Sequence, residues 1–485
     1  MSVHVNAWDR TQGAFVVAAV AALAVYVLAL LSPAIFNDGD TYWHIRAGQW
    51  MLAHRTVLSA DPFSLSFAGK PWETQEWLAE IAMAAAFQAL GWSGVAILTG
   101  AAMASAAGLL GLYLAKHLDP VPCLVVLILA LACVMPDYLA RPHILALPFL
   151  VAWLIGLADA NAQHRAPGWR LLPVMVVWAN LHGGFVFGLA LIIPFALEAV
   201  FADRANAMRT AKNWALFAVA ALAATLLNPR GLSGLLYPFE LMRLKSLSAI
   251  GEWQSPDFHT LNPVEITALA AIFFFIWRGA RMSAIRLVVL LALFHLWLEH
   301  ARYGMLLGIV GAVLVAGPLG AALTRETASS RLWPHRRFAF TSLAAAMLVV
   351  ALVRVAWPIQ RTNEPGSSAL AAIPASLAAE PVFNSYAFGG LLIFDGIKPL
   401  VDSRADLYGD VFLAEYARTI AADEPAVDAL FRKYRVTWTM LAPGDALIAA
   451  MDRRKGWHRF YADKYAVIHV ADAAAPANRL SAGSP

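Results

Sequence analysis

Eleven stretches dominated by apolar residues recur along the chain, at about 13–34, 94–115, 121–135, 143–158, 171–182, 185–201, 214–227, 263–277, 286–299, 303–323 and 339–357. A helix that crosses hydrocarbon needs ~20 apolar residues, so the shorter stretches must draw on their flanks. Between the first two lies a long polar connection, 35–93. It carries two helical patterns, 41–54 and 74–90, joined by the turn-rich run Ser59–Pro71. The second opens on Glu73, Glu76 and Glu80, an amphipathic start that suits a helix lying on a membrane surface. A second long connection spans 228–262. Beyond residue 361 no membrane-length apolar run remains. Alternation at 436–441 and 465–470 predicts strands, and helical patterns lie near 411–421 and 425–434. The expected architecture is an all-α polytopic membrane protein of about 11 transmembrane helices (residues 1–361). A small α/β domain at 362–472 and a disordered Ala/Pro/Ser-rich tail at 473–485 complete it.

Composition agrees with this pattern. Hydrophobic residues make up 60% and charged residues 14%, against about a quarter charged in soluble domains. The 17 tryptophans suit a chain with many membrane–water boundaries. Cys123 and Cys133 would lie ~15 Å apart on one helix, too far to bridge, and read as small core residues. A formal charge of only +4 implies no nucleic-acid partner.

The position of the positive charge sets the topology. Basic residues gather in four short connections: Arg165 and Arg170; Arg204, Arg209 and Lys212; Arg278, Arg281 and Arg286; and Arg325, Arg331, Arg336 and Arg337. Basic loops stay cytoplasmic, and two apolar stretches separate each neighbouring pair. The count closes on a cytoplasmic N-terminus and an exterior C-terminus if the helix at 74–90 does not cross. Ser32-Pro33-Ala34 lacks a small-residue cleavage pattern, so the first stretch reads as a retained span.

With that orientation the polar motifs outside the basic loops fall on the exterior side. Asp38-Gly39-Asp40-Thr41-Tyr42-Trp43-His44-Ile45-Arg46 directly follows the first span. Ionisable groups at such a depth are costly unless they pair, bind or react. Asp40 is a good N-cap, and on a helix it shares a face with His44. Arg46 lies off that face, placed to meet a phosphate. Asp38 and Asp40 together are the candidate oxygen ligands of a divalent cation, magnesium or manganese. Glu73 and Glu76 read as first-turn residues, where the helix dipole alone accounts for acids. Arg141 and His143 open a span, and Arg141 either snorkels or faces a cavity. Asn180 and His182 precede a Gly-Gly turn. His300 and Arg302 close another short turn. Asn228-Pro229-Arg230 reads as a turn signal, and glycines 304, 308 and 311 as helix-packing positions. Asp402-Ser403-Arg404 reads as a surface loop.

Asp40-Thr41-Tyr42-Trp43-His44-Ile45-Arg46 resembles the motif after the first span of the GT-C superfamily of integral-membrane glycosyltransferases. That group includes oligosaccharyltransferase catalytic subunits, protein O-mannosyltransferases and the aminoarabinose transferases of lipid A. The blocks Asn180–Gly184, Glu252–Phe258 and Val401–Gly409 resemble a bacterial group of that type. The resemblance implies transfer of a sugar from a polyprenyl-phosphate donor to a glycan, lipid or protein acceptor, on the periplasmic face of a bacterial inner membrane. Asp40 would act as base or metal ligand, with Asp38 and His44 beside it. Arg46, Arg141 or Arg302 would stabilise the departing phosphate, and Glu73, Glu76, His143, Asn180, His182 and His300 would line the substrate site. The chain has no WWDYG-type motif, which disfavours a peptide Asn as acceptor. A transporter or flippase of lipid-linked glycan, and a non-catalytic subunit that kept the fold, are the rival readings.

Overall fold

The structure, a computed structural model, describes residues 7–323, 336–359 and 366–474. Part of the fourth basic connection (Arg325, Arg331) and the tail beyond residue 474 lie outside the described residues. The chain forms two compact units. One comprises Met1–Ile35, Ala89–Phe239 and Ser248–Pro358; the other comprises Phe36–Gln88, Glu240–Leu247 and Ile359–Pro485. A cut at residue 361 therefore does not describe the packing. The first polar connection belongs with the C-terminal segment, not with the long apolar helices.

The first unit is helical. Every one of the eleven apolar stretches coincides with a helix, from Ala7–Leu31 to Arg336–Ala356. Among the described residues, five helices are long and apolar enough to cross a membrane: Trp77–Leu114, Pro120–Asp137, Pro142–Ala162, Phe185–Ala202 and Ala301–Ala322. Phe15–Leu31, Trp169–Leu181 and Thr341–Ala356 are shorter apolar helices. Side chains such as Phe273, Leu291 and Leu352 are more than half exposed, as an apolar solvent outside would favour. The unit's core lies between helices. Pro120–Val134 packs on Gly304–Ala322, where a Cβ at Gly308 would meet Cys133 at 2.5 Å. Close packing thus accounts for Gly308, and for Gly304 against Val264, whereas Gly311 meets only Leu290 at ordinary range. Cys123 and Cys133 are buried free thiols.

Trp77–Leu114 runs through both helical patterns that the sequence separates at 74–90 and 94–115. At 1.5 Å per residue it would be ~57 Å long, nearly twice a hydrocarbon core. Leu90 and Gly91 leave helical geometry within it, Gly91 at φ 58°. The predicted break is therefore present, and only the part after it has the length of a single crossing. Two expectations for its first part fail. The helix begins at Trp77, so Glu73 and Glu76 precede its first turn. Glu80 is not on a wet face but wholly buried.

The second unit joins three chain segments around a four-stranded sheet. Its strands are β1 (Val382–Asn384), β2 (Trp438–Leu441), β3 (Trp457–Ala462) and β4 (Val467–Ala471), in the order β1-β2-β4-β3. β1 runs parallel to β2, and β4 is antiparallel to both β2 and β3. The alternating runs at 436–441 and 465–470 supplied β2 and β4. β1 is too short, and β3 too polar, to announce itself. Helices Ala405–Ile420 and Glu424–Tyr434 extend the predicted ones by a few residues. Helix Gly39–His54 packs on the short helix Gly389–Phe394. The second polar connection, read as a loop, holds helix Leu232–Leu241 and two short 3-10 turns, Lys245–Ala249 and Gly251–Trp253.

Candidate active site

The twelve residues singled out from the sequence fall into two groups, six in each unit. In the second unit, Asp38 occupies the N-cap position of helix Gly39–His54 and makes no side-chain capping bond, while Asp40 lies in the first turn. The N-cap thus falls two residues before the expected Asp40. Asp40 Oδ1 lies 3.3 Å from the Trp43 indole nitrogen, which also donates to Ser403 Oγ at 2.9 Å. Spacing of three on a helix brings the first pair together.

His44 lies between two carboxylates. Its Nδ1 is 3.2 Å from Glu80 Oε1 and its Nε2 is 3.6 Å from Glu76 Oε2. The Thr74 hydroxyl donates to Glu80 Oε1 at 2.8 Å. The approach depends on Gly48, since a Cβ there would collide with the Glu80 carbonyl. His44 and Glu76 are therefore neighbours, and Glu80 joins them. Arg46 and Glu73 are exposed. Arg46 donates to Gln49 at 3.2 Å.

Beneath Trp43 lies the feature that the sequence reading placed on the surface. Arg404 is buried, and so are Asp402 and Asp61. The guanidinium donates from Nε and Nη2 to the two oxygens of Asp402 at 2.8 and 2.6 Å, and from Nη1 to Asp61 at 2.8 Å. The Tyr408 hydroxyl adds a bond to Asp402 at 2.6 Å. The cation sits 4.6 Å from the centre of the Trp72 ring, whose indole nitrogen donates to Asp406 at 2.9 Å. Burial pushes the Asp61 carboxyl up, but Arg404 and the Ser64 and Phe63 hydrogen bonds outweigh it and hold it below the usual range. The Val-Asp-Ser-Arg-Ala-Asp string reads as a loop because periodicity cannot see that its charges are matched by Asp61, 343 positions away. An ion pair satisfied on every side is what allows such charges to be buried.

In the first unit a second cluster draws on four chain segments. Glu252 bridges two guanidiniums: Oε2 is 3.2 Å from Arg141 and Oε1 is 3.1 Å from Arg302. Arg302 also stacks on Trp253, 4.1 Å from the ring centre. His300 donates from Nδ1 to the Trp253 carbonyl at 2.6 Å. His143 donates from Nε2 to the Asp137 carbonyl at 2.8 Å, and its ring lies 6.1 Å from that of His182. The Gly184 amide donates to His182 Nδ1 at 3.1 Å, which fixes the proton of the neutral ring on Nε2. Burial pushes the Glu252 carboxyl up, but Arg141 and Arg302 overcome this and hold it below the usual range. Asn180 is turned elsewhere: its amide nitrogen donates to the carbonyls of Val176 and Leu227. Asn228 closes its own turn through Arg230, as expected.

Among the described residues no group of three or more His, Cys, Asp or Glu side chains is arranged to hold a metal ion.

No known family profile matches this sequence, and no curated protein matches it. Among solved structures, the oligosaccharyltransferase of Archaeoglobus fulgidus in its apo form is similar, with a TM-score of 0.50 at 12% identity. The alignment covers 91% of this chain and 70% of that one. At this identity the likeness is one of fold alone.

Proposed function

We propose that this protein is a membrane glycosyltransferase that moves a sugar from a polyprenyl-phosphate donor to an acceptor hydroxyl or amine at the exterior face of a bacterial inner membrane. The observation that carries the reading is Asp40. A half-buried carboxylate, steadied by an indole N–H, opens the helix that follows the first apolar helix, in a chain whose fold resembles an oligosaccharyltransferase.

Transfer breaks the bond from the sugar's anomeric carbon to the phosphate oxygen, and the electron pair leaves with the phosphate. It forms a bond from that carbon to the acceptor, whose proton passes to a base. Asp40 takes the proton. His44 between Glu76 and Glu80 gives the proton a further carrier. In the other unit Arg141 and Arg302 form a separate candidate site, for the phosphate group of a lipid-linked sugar. The topology belongs to the proposal too: eleven crossings, the N-terminus cytoplasmic, and the four basic connections on the cytoplasmic side.

Asp40→Asn tests the assignment. Membranes carrying the variant at wild-type level are expected to lose transfer of labelled sugar from polyprenyl-phosphate donor into cell-envelope material. Retained transfer rejects Asp40 as the base. Movement of donor across vesicles without cleavage of the sugar–phosphate bond would identify a flippase instead. Function that tolerates Asp38, Asp40 and His44 substituted together would identify a non-catalytic subunit.

A further inference from the structure

The chain holds two arginine–carboxylate clusters, and they are built differently. Arg404 grips Asp402 through two nitrogens and both oxygens at 2.6–2.8 Å, and all three partners are buried. Glu252 meets Arg141 and Arg302 through one nitrogen each, at 3.2 and 3.1 Å, and the three side chains are 20–28% exposed. Paired, parallel bonds are the strong form of this contact. Single bonds in reach of water are weak and exchangeable.

The backbone around Glu252 is held by contacts of its own, and its side chain is held by the two arginines. The Trp253 carbonyl accepts from His300, and the Ala301 amide donates to the Gln254 carbonyl at 2.9 Å. Arg302 rests on the Trp253 ring. The residue before, Gly251, has open space where a Cβ would stand. Rotation of the Glu252 side chain would break its bonds to both guanidiniums without disturbing the turn. Its two oxygens on one carbon span the two cations much as the non-bridging oxygens of a phosphate would.

We infer that Glu252 is a displaceable counter-ion that holds Arg141 and Arg302 in register until a phosphate group takes its place. This rests on the reading of the arginine pair as the phosphate site, and deepens it. Before binding, Glu252 offsets the repulsion between two like charges. During binding it competes with the ligand, so the site accepts phosphate only against an internal rival. After the sugar leaves, the same carboxylate can return and help to expel the spent carrier.

The test uses purified full-length protein in neutral-lipid nanodiscs. The probes are a polyprenyl monophosphate and, separately, inorganic phosphate. Arg141→Gln and Arg302→Gln are each expected to weaken binding of the polyprenyl monophosphate at least about tenfold, the worth of one charged hydrogen bond. Glu252→Gln is expected to tighten it at least about threefold, because a partly exposed ion-pair rival is removed. A carboxylate that served only to brace the arginines would give the opposite sign. Unchanged or weaker binding in Glu252→Gln, with both arginine variants impaired, overturns the counter-ion and leaves the phosphate site standing. Undiminished binding in both arginine variants overturns the site itself. An equal gain for inorganic phosphate supports the counter-ion and assigns recognition to the phosphate group alone. A gain confined to the polyprenyl form supports it and assigns recognition to the lipid-borne group. Should Glu252→Gln not fold, Glu252→Asp, which cannot reach both arginines, is expected to shift affinity in the same direction.

Discussion

Ser403 accepts the indole hydrogen of Trp43 at 2.9 Å, 360 positions further along the chain, and the same indole nitrogen lies 3.3 Å from Asp40. The segment after the sheet's first strand thereby sets the orientation of the acid near the N-terminus. Ser403→Ala removes the acceptor and lets the indole turn. Transfer is expected to fall about 10- to 100-fold in kcat with a smaller change in KM, because an ångström of misplacement costs that much. A matched loss with Trp43→Phe, not additive with Ser403→Ala, would show that the two act as one device.

Arg404 is expected to be the most sensitive position in the second unit. Arg404→Met leaves Asp402 and Asp61 buried without their cation. Breaking a buried pair in this way costs ~3–5 kcal/mol. The expected result is loss of folded protein from detergent extracts, followed by size-exclusion profile and melting temperature. Arg404→Lys is not expected to rescue, since an ammonium cannot repeat the three-sided grip.

Acid should attack the same network. The Asp61 carboxyl is held below its ordinary range in the folded protein. A lowered folded value means that its contribution is complete above the unfolded carboxylate value of about 4 and disappears as pH falls through the folded one. Melting temperature is therefore expected to decline below pH ~4. Asp61→Asn should be less stable at neutral pH and show a flatter decline in acid.

Gly48→Val drives a branched side chain onto the Glu80 backbone. The helix Gly39–His54 must move away, so His44 loses Glu80. A cost of ~1–3 kcal/mol is expected from overpacking, together with loss of transfer. A variant with full transfer would show that the His44–Glu80 contact is dispensable.

Reporter fusions near Gln163 and near Arg243 are expected to report opposite sides of the membrane. The first lies beside the basic connection of Arg165 and Arg170, and the second in the connection that carries Glu252. The same side for both would break the proposed count of crossings.

What the sequence determined by itself was local. Apolar runs of helical length lie on helices because lipid or neighbouring helices must cover them and their own backbone must satisfy its hydrogen bonds. Alternation found β2 and β4, and the Leu90–Gly91 break was legible from the change of pattern. Residue chemistry at chain turns also singled out Arg141, His143, His182, His300 and Arg302, and the fold brings them around Glu252. Tertiary structure alone decided the rest. Glu80 reads as a wet residue until Thr74 and His44 are seen to cover it. Asp402 and Arg404 read as a loop until Asp61 arrives from the other end of the chain. Burial of a charge depends on partners that lie far off in sequence, and periodicity carries no information about them.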